Sequence, residues 1–145
     1  MNKDEKKELI STLINQRNNL REELGFIYNQ VTKNNSYSAE EILKRLGKFS
    51  QDLTEHVDLE NEVLYVELLK NMKVKGEDTA MTEGFIGEMK NIEAEIKVFL
   101  EIYKDVASIE YNSSEFEHEF SKVRRTLVLR IDMEESGIFK YWDQK

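Results

Sequence analysis

The sequence predicts an all-α protein, an antiparallel up-down-up-down four-helix bundle, and three observations carry that expectation. Proline is absent and glycine occurs six times in 145 residues, so little interrupts helical backbone. Apolar residues recur at three- and four-residue steps through four long stretches. Short polar connectors separate those stretches, which favours antiparallel neighbours. No strand-like alternation, low-complexity tract or short repeat competes with this pattern. The length suits a single domain, residues 1–145, with a real buried core.

The first helix is expected from about Lys3 to Thr32, with Ile10, Leu13, Leu20, Leu24, Ile27 and Val31 on its inner stripe. KNNSY breaks it. Ser38 with Glu41 reads as a capping box that opens a second helix running to about Met72. Its stripe is Ile42, Leu46, Phe49, Leu53, Val57, Leu64 and Leu68. KVKGED follows, with Gly76 as the helix stop. The third stripe is Met81, Phe85, Met89, Ile92, Ile96, Phe99 and Tyr103. A loop is expected near IEYNSS, and Ser114 with Glu117 repeats the capping signature before the fourth helix. That helix carries Phe116, Phe120, Val123, Leu127, Ile131, Ile138 and Phe139.

Bulk chemistry narrows the function. No cysteine is present, so disulfides, thiolate nucleophiles and thiolate metal sites are excluded. Charged residues make up 34% of the chain and the formal net charge is −8, which argues against nucleic-acid binding. The same charge suits a protein partner with a basic surface, or serves solubility. Lys122-Val-Arg-Arg125 is too short and too surrounded by acids to form a nucleic-acid patch. The start, MNKDEKKELI, is neither a signal peptide nor a membrane span, so the cytoplasm is expected. No Ser-His-Asp arrangement, phosphate-binding glycine loop or zinc spacing is found, and the expectation is a protein that is not an enzyme. The oligomeric state is open.

Polar residues on the inward stripes are the candidates for function. In LTEHVDLENEVLY, His56 lies three residues after Leu53 and Glu60 four before Leu64, so both fall on or beside the buried face. HVDLENEVLY and RIDMEESGIF echo each other, matching His56 to Arg130 and Glu60 to Glu134. Arg17 lies between Leu13 and Leu20 on the first helix. A bundle could therefore gather Arg17, His56, Glu60, Arg130 and Glu134 at one height.

Two arrangements compete for that level. In one, His56 and Glu60 bind iron or another divalent cation, with Glu134 or Glu135 reaching across. In the other, no cofactor is bound and guanidiniums neutralise carboxylates as a buried ion-pair cluster. Charge favours the second, because arginine cannot coordinate a cation and repels one placed beside it. The remaining candidates read as structural. His118 falls off the apolar stripe and is expected to face solvent. Met81, Met89, Phe85 and Phe99 have core spacing, and Tyr141 and Trp142 are expected to dock on the bundle, with the anchoring of a partner as the alternative.

LTEHVDLENEVLYVELL resembles the second-helix motif of the hemerythrin-like, HHE cation-binding family, where His-x-x-x-Glu precedes an apolar-aromatic pair. EFEHEFSKVRRTLVLRIDMEESGIFKYW is similar to that family's last helix, with its Glu-Glu or Glu-Asp pair and a second apolar-aromatic pair. The resemblance implies a four-helix bundle and, in members holding two irons, oxygen, nitric oxide or iron handling. Those members supply histidines where this chain has Arg17 or Gln16, Met89 and Ile92, and Arg130. Only His56, Glu60 and Glu134 or Glu135 match, so the resemblance implies a degraded metal site in a sensing or regulatory interaction module. LISTLINQRNNL, FSQDLTEH and LVLRIDMEE are also similar in spacing to the regulator of sigma D, or AlgQ, family. That second likeness implies binding to the primary sigma factor of RNA polymerase, with arginines at the positions of Arg17 and Arg130.

Overall fold

Helical periodicity governs nearly every residue that the computed structural model describes, namely residues 1–33, 36–139 and 142, and no strand occurs among them. Helix α1 spans Lys3–Lys33 and α2 spans Ala39–Leu59. The chain continues from α2 through a π turn, Glu60–Leu64, into α3, Tyr65–Val74. Helix α4 is Ala80–Ile102, α5 is Val106–Tyr111, and α6 is Ser113–Glu134. A second π turn, Glu135–Phe139, extends α6. No helix among the described residues is long and apolar enough to cross a membrane.

The ends follow their local chemistry. Ser38 Oγ accepts the Glu41 amide at 3.3 Å, giving one half of the expected capping box, while the Glu41 carboxylate pairs with Arg45 instead. Gly76 stops α3 with a φ of +72°, a left-handed conformation that favours glycine, and the Glu77 amide reaches back to the Met72 carbonyl. The loop expected near IEYNSS is in part the short helix α5. Asp105 and Ser108 cap it reciprocally, a box built on Asp and Ser rather than on Ser or Thr with Glu. The cap of α6 is Asn112, whose Oδ1 accepts the Glu115 amide at 3.0 Å, rather than Ser114.

Packing divides the interior in two. Helix α1 lies against α2 and α6, α4 packs on α6, and α5 closes against α2 and α6. One apolar cluster contains Leu20, Leu24, Phe49, Phe99, Phe116 and Phe120. In it Phe99, Tyr103, Phe116 and Phe120 join α4 to α6 with ring centroids 4.9–6.2 Å apart, each pair worth ~0.5–1.5 kcal/mol beyond area burial. The other cluster contains Leu9, Leu13, Leu64, Tyr65, Phe139 and Trp142. Arg17 sits between Leu13 and Leu20, at the joint between the two clusters.

Met81, in the first turn of α4, is 90% exposed rather than packed. Met89 and Phe99 are buried, Phe85 is half-buried, and Trp142 is buried. Tyr141 and part of the KNNSY connector lie outside the described residues.

Candidate functional site

Among the described residues, four charged or polar side chains are almost wholly removed from solvent: Arg17, His56, Glu60 and Glu134. Burying an isolated ion is so costly that these groups must find partners, and they find each other. Arg17 comes from the inner stripe of α1, His56 from the last turn of α2, Glu60 from the start of the first π turn, and Glu134 from the end of α6.

Arg17 is the hub. Its Nη2 lies 2.7 Å from Glu60 Oε2 and 2.7 Å from Glu134 Oε2. Its Nε donates to His56 Nε2 at 3.3 Å. Its guanidinium carbon stands 3.8 Å from the centre of the Phe139 ring, a stacking that suits a delocalised planar cation. The delocalised charge thus reaches both carboxyl groups and one imidazole.

The outer contacts fix the protonation states. Because Arg17 uses Nε2 of His56 as an acceptor, the imidazole proton belongs on Nδ1, which faces Gln16 Oε1 at 2.8 Å. Burial, and then the neighbouring Arg17 charge, push the His56 pKa down to about 3, so the ring is neutral. Burial, then the nearby Glu134, hold the Glu60 carboxyl well above the usual carboxylate range, against the pull of Arg17. Tyr65 donates its hydroxyl to Glu134 Oε2 at 2.7 Å, and burial together with the two carboxyl groups raises its pKa.

The π turns explain how these groups meet. Adjacent residues in an α-helix point about 100° apart, so a consecutive apolar-aromatic pair does not ordinarily face one core. In the first π turn the Tyr65 amide bonds the Glu60 carbonyl, five residues back, and both Leu64 and Tyr65 are buried. The second π turn likewise precedes the buried pair Ile138 and Phe139. Both widened turns occur where the polar cluster crosses the interior. The sequence echo between HVDLENEVLY and RIDMEESGIF is the visible trace of this shared geometry. Phe139, expected on the inner stripe of the last helix, and Tyr65, which no expected stripe included, are therefore partners of the cluster.

Two candidates lie elsewhere. Arg130 is not a member of the buried cluster: it pairs with Glu88 of α4 and stacks over Phe85, 4.5 Å from the ring centre. On α6 the inner line runs through Phe120, Leu127, Ile131 and Glu134, and Arg130 stands one residue off it, on the flank toward α4. Glu135 pairs with Arg21 at 3.1 Å and is about one-third exposed, so only Glu134 of the Glu-Glu pair enters the interior. His118 is exposed, as its spacing implied.

The donor set does not fit a metal ion. Every carboxyl or imidazole group at this level already accepts from, or pairs with, the Arg17 guanidinium, and a cation placed among them would meet a fixed positive charge. Among the described residues no group of three or more His, Cys, Asp or Glu is disposed to hold a metal. A family model described as the hemerythrin HHE cation binding domain matches residues 8–142, nearly the whole chain. No curated relative and no solved structure matches.

Proposed function

The chain belongs to the hemerythrin HHE cation binding domain family, and we propose that within it this protein is a metal-independent member whose internal cation is the Arg17 guanidinium. Its function on this reading is that of a non-enzymatic regulatory module that works by binding another protein. The observation that carries the reading is one nitrogen of Arg17 held 2.7 Å from both Glu60 and Glu134. A tethered cation neutralises these carboxyl groups permanently, without the loading and loss that a metal ion undergoes.

The burial of the cluster supports a structural rather than a catalytic role. Arg17, His56, Glu60 and Glu134 lie beneath apolar side chains on both sides, where a reactant would have to displace packed core to reach them. The arrangement we propose is an up-down-up-down bundle. Its four rods are α1, the continuous α2–α3, α4, and α6 with its π extension, and α5 covers one end. The net charge of −8 supports a protein partner that offers a basic surface.

Metal analysis of the protein purified from iron-supplemented cells tests the reading. The expected result is iron well below one equivalent and a thermal melt that chelator treatment leaves unchanged. Stoichiometric iron with a ligand-to-metal absorption band would overturn it.

A further inference from the structure

A groove of about 320 Å³ opens between α4 and the first part of α6, and none of the buried cluster's residues lines it. Its floor is apolar, formed by the buried Ile96 and Phe99. Its α4 lip carries Val98 and Ile102, 60% and 58% exposed and one helical turn apart. Single exposed apolar residues are ordinary, but these two stand in register beside a recess that continues the apolar surface inward.

The rim is acidic. Glu115 and Glu119 follow each other by one turn along α6, and Glu95 stands on α4, against Lys122 as the one cation among the lining residues. The apolar line on α4 and the carboxylates on α6 therefore run side by side along one recess. The lining of α4 extends from Ile92 to Tyr103, a rise of about 17 Å, which matches roughly three turns of a helix laid alongside.

We propose that this groove docks an amphipathic, basic helix of a partner protein. The partner's apolar stripe lies over Val98 and Ile102, and its lysines or arginines face Glu95, Glu115 and Glu119. A second copy of this chain is a poor occupant through the same face, because it would set these carboxylates against their own counterparts. The inference rests on the reading of the protein as a protein-binding module and specifies where and what it binds.

The test uses the full chain and two fluorescently labelled synthetic helical peptides of about three turns, one patterned with Leu and Lys and one with Leu and Glu. The Leu/Lys peptide is expected to bind and to weaken with added salt. Glu115→Lys with Glu119→Lys should weaken it about tenfold or more, and so should Val98→Ser with Ile102→Ser. The same change of net charge placed at Glu8→Lys with Glu62→Lys should weaken it far less, and melts of all variants report that the fold is kept. Equal binding of the Leu/Glu peptide would overturn the proposal, as would equal losses from the groove and control charge reversals, or a dimer of the protein abolished by Ile102→Ser. Failure here together with iron-free protein would remove the groove and leave the metal-independent reading standing; stoichiometric iron would remove that reading whatever the peptides do.

Discussion

Arg17 has no water to fall back on, so its contribution is measured by what its absence leaves behind. Arg17→Met exposes Glu60 and Glu134 to each other in a dry interior, and the expected loss is ~3–5 kcal/mol, read as a lower urea midpoint at unchanged slope. Adding Glu60→Gln and Glu134→Gln to Arg17→Met should recover much of that loss, because no unpaired charge then remains. Arg130→Ala is the contrast. Its partner Glu88 is 62% exposed, and the expected cost is under ~1 kcal/mol. Comparable losses for Arg17→Met and Arg130→Ala would contradict the assignment of one to the interior and the other to the flank.

His56 adds a pH dependence with a definite sign. Its pKa is about 3 in the folded protein against an ordinary 6.5, so below pH 6.5 the unfolded chain takes up a proton that the native ring refuses. Stability from this group is complete above pH 6.5 and is lost as the pH falls toward 3. Glu60 acts oppositely. Its raised pKa makes its contribution greatest below the ordinary carboxylate value, and that contribution is lost as the pH rises through the folded pKa. Melting temperatures of wild type and His56→Gln between pH 7 and pH 4 separate the two. The variant should decline less steeply on acidification, and parallel curves would show that His56 is not held neutral.

At the scale of the element, the π turns carry the geometry. Tyr65 reaches Glu134 because the helix gains a residue between Glu60 and Tyr65. Tyr65→Phe should cost ~1.5–3 kcal/mol, the range for a hydrogen bond to a charged group. Deleting Asn61, which returns the segment to ordinary helical register, should cost more, because it rotates α3 and its core residues as well as the hydroxyl. A thermal melt of the deletion variant no worse than that of Tyr65→Phe would contradict this.

The same element shows why the site was only partly legible. The apolar stripes of α1 and α2 through Val57 obey the ordinary helical period, and Leu13, Leu20, Ile42, Phe49 and Leu53 are buried where spacing put them. Arg17, His56, Glu60 and Glu134 could be placed by the same arithmetic. Past Glu60 the period changes, and no residue type announces a π turn; its trace was the paired burial of Leu64 with Tyr65 and Ile138 with Phe139. Arg130 was misplaced because a single three-residue step from Leu127 does not tell core from flank: Arg130 stands about 100° from its buried neighbour Ile131, on the side where it meets Glu88 and Phe85. Helix α5 left no such signature, because its capping box uses Asp105 and Ser108 rather than Ser or Thr with Glu.

At the scale of the whole molecule, the two apolar clusters meet across a polar level that α1, α2, the first π turn and α6 all help to build. A tethered guanidinium there joins three separate stretches of chain through one side chain, and on the proposed reading the fold keeps its cation whatever the metal supply. Anomalous diffraction from crystals grown with ferrous iron tests that claim most directly. The account predicts planar guanidinium density between Glu60 and Glu134 and no anomalous peak at that level. An anomalous peak bonded to His56 Nε2 and to both carboxyl groups, with Arg17 turned aside, would contradict it.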